Sequence, residues 1–96
     1  MTHYLVAKIT ISDRQTYAQY EAGFMDILNR YEGKLLAVDE QTEIVEGDWR
    51  NDRTVILSFD SAARAKTWYD SSDYQKIVKH RHDSSVADIV LIKGLG

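Results

Sequence analysis

The chain has 96 residues, no cysteine and no proline, and its 12 Lys and Arg against 15 Asp and Glu give a net charge of −3. This composition excludes disulfide bonds and thiolate metal ligands, and the mild acidity argues against a nucleic-acid-binding face, which would be basic. No apolar run approaches the roughly 18 residues of a membrane span, and the amino terminus lacks the basic segment of a signal peptide, so we expect one cytoplasmic domain over residues 1–96 that binds neither nucleic acid nor membrane.

The first half of the chain predicts a strand, a helix and a second strand. Apolar residues alternate along His3 to Ile11, as they do in a strand. Ser12 begins a capping box with the glutamine three residues later, and the helix should end where Gly33 supplies a positive φ. We interpret Lys34 to Glu46 as one long strand with a bulge or turn near residues 39–41. The helix carries one apolar stripe with a 3.6-residue period: Tyr17, Tyr20, Phe24, Ile27, Leu28 and Tyr31.

The second half predicts a strand, a split helix and a last strand. Residues 47–52 form a turn before the third strand, Arg53 to Phe59. Asp60 or Ser61 caps the next helix, which breaks at Ser71–Ser72. Ser72 then begins a second capping box and another helix, and the alternation from Val86 to Lys93 predicts the fourth strand.

This order, βαββαβ with a split second helix, predicts a ferredoxin-like α+β sandwich with a four-stranded antiparallel sheet. The helices can cover only one face of such a sheet. The other face would carry apolar side chains from three strands, namely Tyr4, Val6, Ile56, Val90 and Ile92. Because a bare patch of this kind is unusual on a monomer, we expect a homodimer whose sheets pack face to face.

The stretch from Glu46 to Arg81 resembles the bacterial domain-of-unknown-function family DUF1330, and the resemblance extends over nearly the whole chain. The matching residues are Glu46–Gly47, Val55 to Ser61, Ala65, Trp68–Tyr69, Ser71, Tyr74–Gln75, Arg81 and Ile92 to Gly94. The family is similar in fold to the dimeric α+β barrels, in which two ferredoxin-like sheets close on each other. It usually has proline at the positions of Asp60 and Ser72, where we expect helix-capping hydrogen bonds instead. The resemblance implies the fold and the dimer but no reaction.

Arg81 is the first candidate for a ligand-binding residue. It shares a helical face with the apolar side chains of Tyr74 and Val78, where an arginine needs an anionic partner or must reach solvent. Three interpretations stay open. Arg81 forms an ion pair with Glu46 or Asp48, it anchors an anionic ligand, or it is exposed.

Four further residues are candidates for the same site. Tyr69 and Tyr74 can present hydroxyls to a cleft, and the turn residue Trp49 can stack on a ligand or cover a neighbouring subunit. His80 is a candidate general base, because histidine is the side chain that most often accepts a proton near neutral pH. We interpret Trp68 as a core residue, and the tyrosines of the first helix as the edge of the core.

The sequence predicts no metal and no cofactor. His80 and His82 are two residues apart on a helix and point in different directions, and His80 with Asp83 would supply only two ligands. The chain has no Ser-His-Asp arrangement, no glycine-rich phosphate loop and no dinucleotide fingerprint.

The leading functional interpretation is a small homodimer that binds a partly apolar or anionic small molecule in a cleft between helices and sheet. The alternative is a cofactor-free enzyme, because dimeric α+β barrels include monooxygenases and lactone isomerases, although a shared fold does not fix function. A third class is a stabilising or regulatory partner protein without a ligand. Whether the protein is an enzyme is left open by the sequence.

Overall fold

The computed structural model describes residues 1–96 and has the predicted order of elements. The strands are β1 (His3–Ile11), β2 (Lys34–Asp39), β3 (Arg53–Phe59) and β4 (Ser85–Lys93). The helices are α1 (Arg14–Arg30), α2 (Ala62–Asp70) and α3 (Ser72–Ser84). None of the three helices combines the length and the apolar character that a membrane crossing requires.

The four strands form one antiparallel sheet in the order β2-β3-β1-β4. The central strand β1 places Leu5 opposite Leu57 on one side and opposite Leu91 on the other. Such rows bring the inward side chains of neighbouring strands together, and the three helices cover this inner face. The ferredoxin-like α+β fold predicted from the sequence is confirmed.

Helix α1 begins one residue later than predicted. The carboxylate of Asp13 is the N-cap and accepts hydrogen bonds from the backbone N–H groups of Gln15 and Thr16, at 3.1 and 3.2 Å. The predicted cap, Ser12, instead donates its hydroxyl to the carbonyl oxygen of Ser84 at 3.0 Å. The prediction was wrong because both residue types cap helices and only the tertiary contact distinguishes them.

The end of α1 also differs from the prediction. The residue with positive φ is Glu32, at 62°, and not Gly33. Gly33 is buried, and a Cβ atom there would overlap the side chains of Leu28 and Phe59. The glycine is therefore required by close packing between α1 and β3, and not by its backbone conformation.

Strand β2 is shorter than predicted. It ends at Asp39, whose carboxylate accepts the backbone N–H of Gln41 at 2.7 Å in a local turn. The bulge lies earlier, between Leu35 and Ala37. The predicted continuation over Glu43 to Glu46 is wrong, because these residues form no strand and their apolar side chains are exposed.

Serine residues cap both later helices. Ser61 caps α2, one of the two predicted possibilities, while Asp60 lies before the cap. Ser71, and not Ser72, caps α3, and its Oγ accepts the backbone N–H of Tyr74 at 3.1 Å. Ser72 occupies the first helical position, where proline is equally well accommodated.

As predicted, the helices cover one face of the sheet, and the opposite face also carries apolar side chains. The inner face and the helices form the core: Leu5, Ala7, Ile9, Tyr17, Tyr20, Ile27, Leu28, Val55, Leu57, Phe59, Ala65, Trp68, Tyr74 and Val78. On the outer face, Ile56, Val6 and Val90 lie side by side across β3, β1 and β4. Val90 is 57% exposed and Ile92 is 48% exposed, so this outer face is apolar and uncovered in the single chain.

Candidate functional site

A cavity of about 200 Å³ lies between the helices and the inner face of the sheet. Of its 18 lining residues, 15 are hydrophobic, so the remaining three, Glu21, Arg53 and Arg81, carry all of its charge. Exposed lining residues mark its mouth between α1 and β2: Glu21, Met25, Leu35 and Val38. The cavity is therefore mainly apolar, has few polar groups and opens between α1 and β2.

Arg81 lies on the inward face of α3 and is only 4% exposed. It forms no ion pair with any carboxylate, and its Nε has no hydrogen-bond partner. Glu46 and Asp48 are exposed in the segment between β2 and β3. Two of the three interpretations of Arg81, the ion pair with these acids and simple exposure, are therefore wrong.

Two tyrosine hydroxyls lie next to Arg81. The hydroxyl oxygens of Tyr20 and Tyr74 are 2.7 Å apart and share a hydrogen bond. The Cζ of Arg81 is 5.8 Å from the centre of the Tyr20 ring, within the range of a cation–π contact. Interaction with Tyr74 also contributes to raising the pKa of Arg81. The guanidinium is thus surrounded by neutral, polarisable groups.

The charge states of this group follow from burial and proximity. Burial raises the pKa of Tyr20 well above its ordinary value, and it raises the pKa of Tyr74 despite the opposing charge of Arg81. Burial alone would lower the pKa of Arg81, but Tyr74 and Tyr20 outweigh it and the net pKa is raised. At neutral pH the cluster therefore holds one positive charge and two neutral hydroxyls.

Trp68 belongs both to the hydrophobic core and to the wall of the cavity. Its ring centroid is 4.2 Å from that of Tyr74 and 5.4 Å from that of Phe59, so it packs as a core residue. It also lines the cavity, and its Nε1 is buried without a hydrogen-bond partner. The interpretation of Trp68 as a core residue was correct but incomplete, because the residue also forms part of the cavity wall.

An ion-pair network lies at the mouth of the cavity. Arg53 contacts the carboxylates of Glu21 at 3.3 Å and Glu40 at 3.1 Å, and Arg14 contacts Glu40 at 2.9 Å. Hydrogen bonds from Arg14 and Arg53 lower the pKa of Glu40. The network joins α1 to the ends of β2 and β3, and it leaves Arg81 as the one charged lining residue without a counter-ion.

Three of the five predicted site residues line the cavity: Arg81, Tyr69 and Tyr74. Contrary to the prediction, Trp49 and His80 do not. Trp49 lies on the outer face of the sheet, where its Nε1 donates to the Oγ1 of Thr54 at 2.9 Å. His80 precedes Arg81 on α3, and successive helical side chains diverge by about 100°.

Sequence reasoning missed other lining residues, mainly Tyr17, Tyr20, Glu21 and Arg53. The two tyrosines follow the same stripe as the core residues of α1, so their periodicity is that of ordinary packing. The only sequence signal that could have identified them as site residues was the repetition of tyrosine hydroxyls along one stripe of the helix. No group of three or more His, Asp or Glu side chains is placed to hold a metal ion.

Comparison with known proteins identifies the family. Residues 2–95 match the family described as "Domain of unknown function (DUF1330)". The chain belongs to the DUF1330 family. No curated protein matches it.

Several solved structures resemble this DUF1330 protein in fold. A protein of unknown function from Rhodopseudomonas palustris is 17% identical with a TM-score of 0.82, over 99% of this chain and 83% of its own. A dimeric ferredoxin-like protein of unknown function from Jannaschia sp. CCS1 has 10% identity and a TM-score of 0.72, over 98% and 100% of the two chains. SnoaB, a cofactor-independent oxygenase from Streptomyces nogalater, has 10% identity and a TM-score of 0.73, over 99% and 94%. At these identities the likeness shows a common fold.

Proposed function

We propose that this DUF1330 protein binds a small, mainly apolar molecule in the cavity between its helices and its sheet. The observation that carries the proposal is the buried guanidinium of Arg81, which borders an apolar cavity and has no counter-ion. A charge buried without a partner destabilises a fold by several kcal/mol. A ligand that reaches Arg81 would offset this cost, which gives the unpaired arginine a physical reason to be there.

The size of the cavity supports the proposal. Ordered water occupies roughly 30 Å³ per molecule and needs several polar partners, whereas an apolar cavity of roughly 150 Å³ stays dry and binds benzene. The cavity here is about 200 Å³ and mostly apolar. It is smaller than the ~300 Å³ at which sites for drug-sized molecules begin, so the ligand should be compact.

A thermal-shift screen of a metabolite library tests this function. A ligand present at about 100 times its Kd stabilises the protein by about 2.7 kcal/mol. The screen is repeated with Arg81→Ala and with Arg64→Ala, which removes an exposed arginine of α2 that is paired with Glu32. Compounds that stabilise the wild type and Arg64→Ala but not Arg81→Ala support the proposal. A library without any hit, or one in which Arg81→Ala weakens none of the hits, would contradict it.

We also propose that the protein is a homodimer joined through the outer face of its sheet. The row formed by Ile56, Val6 and Val90, together with Tyr4 and Ile92, makes a continuous apolar surface over three strands. A second copy of the chain presents the same surface, so the contact is self-complementary. The dimeric ferredoxin-like neighbour from Jannaschia sp. CCS1 is compatible with this arrangement.

A cofactor-free enzyme is the second candidate function. What favours it is the set of donors at the inner end of the cavity, where Arg81 and the Tyr20–Tyr74 pair can stabilise negative charge that develops on a substrate. The similar fold of SnoaB is an analogy only. Oxygen uptake with a hit from the screen, lost in Arg81→Ala, would support an oxygenase. A hit recovered chemically unchanged after incubation in air would favour simple binding.

The proposal includes a cytoplasmic location and no cofactor. Fractionation of the source cells tests the location, because recovery with the membrane or secreted fraction would contradict it. The absorption spectrum and mass of the purified native protein test the second point. A partner protein without any ligand becomes the better interpretation if the screen yields nothing.

A further inference from the structure

We infer that the ligand is a monocarboxylate of about the size of one aromatic ring, held with its carboxylate against Arg81. The inference rests on the proposed function and adds the chemical class of the molecule bound. It follows from the polar groups at the inner end of the cavity, from the distribution of charge along it and from its volume.

The inner end of the cavity offers hydrogen-bond donors and no charged acceptor. The guanidinium of Arg81 lines the cavity and only donates hydrogen bonds, and no protein carboxylate pairs with it. One hydroxyl of the Tyr20–Tyr74 pair donates to the other, so the pair retains one hydrogen to donate. A carboxylate brings two acceptor oxygens and can satisfy several of these donors together, whereas a ligand with an ammonium group would leave them unmatched.

The distribution of charged residues along the cavity favours an anion at its inner end, next to Arg81. Glu21 is the only carboxylate among the lining residues, and it lies at the mouth, where Arg53 pairs with it. The ionisable groups that raise the pKa of Arg81 are the tyrosines Tyr74, Tyr20 and Tyr69, and no carboxylate is among them. The positive charge of Arg81 is therefore not neutralised from within the protein, and a cationic ligand would be repelled.

The remaining volume limits the apolar part of the ligand. A cavity of roughly 150 Å³ accepts benzene. The cavity of about 200 Å³ thus has space for one ring and a carboxylate. Its inner walls include the rings of Tyr20, Phe24 and Trp68, which suit edge-to-face contact with an aromatic ligand.

Isothermal titration calorimetry with three matched probes tests the inference. Phenylacetate, phenylacetamide and phenethylamine share a ring and differ in charge. We expect phenylacetate to bind the wild type at least about tenfold more tightly than phenylacetamide, since hydrogen bonds to charged groups are the stronger ones. Phenethylamine should not bind. Arg81→Met should abolish the preference for phenylacetate and retain the affinity for phenylacetamide, while Arg64→Met should change neither.

The possible outcomes distinguish a failure of the inferred ligand class from a failure of the proposed binding function. If phenylacetamide binds the wild type as tightly as phenylacetate, the anion inference is wrong and the binding function stands. If no probe binds but the library gives other ligands, the class of ring-sized carboxylates is wrong. If the library is empty as well, both proposals fail. The comparison of the acid with its amide uses only the wild type, so a variant that does not fold leaves the test intact.

Discussion

The hydroxyl oxygens of Tyr20 and Tyr74 are 2.7 Å apart and join α1 to α3 beside the cavity. The two residues are 54 positions apart in the chain, and both rings are buried in the core. Because Tyr74 and Arg81 lie on the same face of α3, this hydrogen bond links the helix that carries the unpaired guanidinium to the helix that forms part of the cavity wall.

The hydroxyl pair should show coupling in a double-mutant cycle. Tyr20→Phe or Tyr74→Phe alone leaves the other buried hydroxyl without its partner, which should lower the free energy of unfolding by about 1–3 kcal/mol. The double variant should lose less than the sum of the two single losses, because no orphaned hydroxyl remains. Urea unfolding measures all four proteins, and Tyr31→Phe, which removes a hydroxyl without a hydrogen-bond partner, is the control. Strict additivity would contradict the prediction.

Two arginines of the cavity should differ in their effect on stability. Arg81→Met removes a buried charge that has no counter-ion, so the free energy of unfolding should stay equal or rise by about 1–3 kcal/mol. Arg53→Met leaves Glu21 and Glu40 without their shared partner, and it should lower stability by about 0.5–1 kcal/mol because the network is partly exposed to solvent. Chemical denaturation of both variants makes the comparison. A large loss of stability in Arg81→Met would mean that the charge has a structural partner.

Filling the cavity should block binding without unfolding the protein. Ala7 lies on β1 with 4% exposure and lines the cavity. Ala7→Leu adds three carbon atoms to the empty space, so stability should fall by no more than the roughly 1–3 kcal/mol that added methylenes cost in a packed core, while affinity for any ligand found falls. Ala18→Leu, on the exposed side of α1, is the matched control. Unchanged affinity in a folded Ala7→Leu protein would place the ligand elsewhere.

The outer face of the sheet should control the oligomeric state. Sedimentation at micromolar concentration should give a dimer for the wild type and a monomer for Val90→Asp. The new carboxylate would be buried opposite Val6 at the centre of the interface, where it has no partner. Ala18→Asp places the same charge on a helix and should remain dimeric. A monomeric wild type would end the dimer proposal.

The protein should lose stability in alkali. Burial raises the pKa values of Tyr20 and Tyr74 in the folded state above the ordinary value of 10.0. Each neutral phenol therefore stabilises the fold below that value, and this contribution is lost as the pH rises through the folded-state pKa, because the unfolded chain releases its protons first. Urea unfolding at increasing pH should show a steeper loss for the wild type than for the Tyr20→Phe, Tyr74→Phe double variant. Parallel slopes would contradict the assignment.

The fold could be read from the sequence because its signals are local. The alternation in His3–Ile11 and the stripe of α1 need no tertiary information. Local signals are ambiguous where two neighbouring residues can both act as the N-cap of a helix, as Ser12 and Asp13 can. They also fail at the end of β2, where the carboxylate of Asp39 accepts a backbone hydrogen bond in a turn and the strand ends.

The site was only partly predictable for a different reason. Arg81 could be predicted as a site residue because it is a charged side chain on the apolar face of its helix. Tyr74 could be predicted with it because it lies on the same face. The pairing of Tyr20 with Tyr74, and of Arg53 with Glu21, joins residues that are distant in sequence. Their side chains look like packing or surface charge until the sheet brings them together. Trp49 and His80 lie outside the cavity, because a residue that is close to a site in the sequence need not point its side chain into that site.

The outer-face position of Trp49 has a practical consequence. Trp49 lies on the outer face of the sheet, with the Nζ of Lys8 4.4 Å from its ring centre, and Trp68 lies beside the cavity on the inner side. These are the only two tryptophans in the chain. Single-tryptophan proteins, Trp49→Phe and Trp68→Phe, would thus provide two separate fluorescent reporters. Emission from Trp49 in the Trp68→Phe protein would follow self-association, and emission from Trp68 in the Trp49→Phe protein would follow occupancy of the cavity, so the two events can be timed separately.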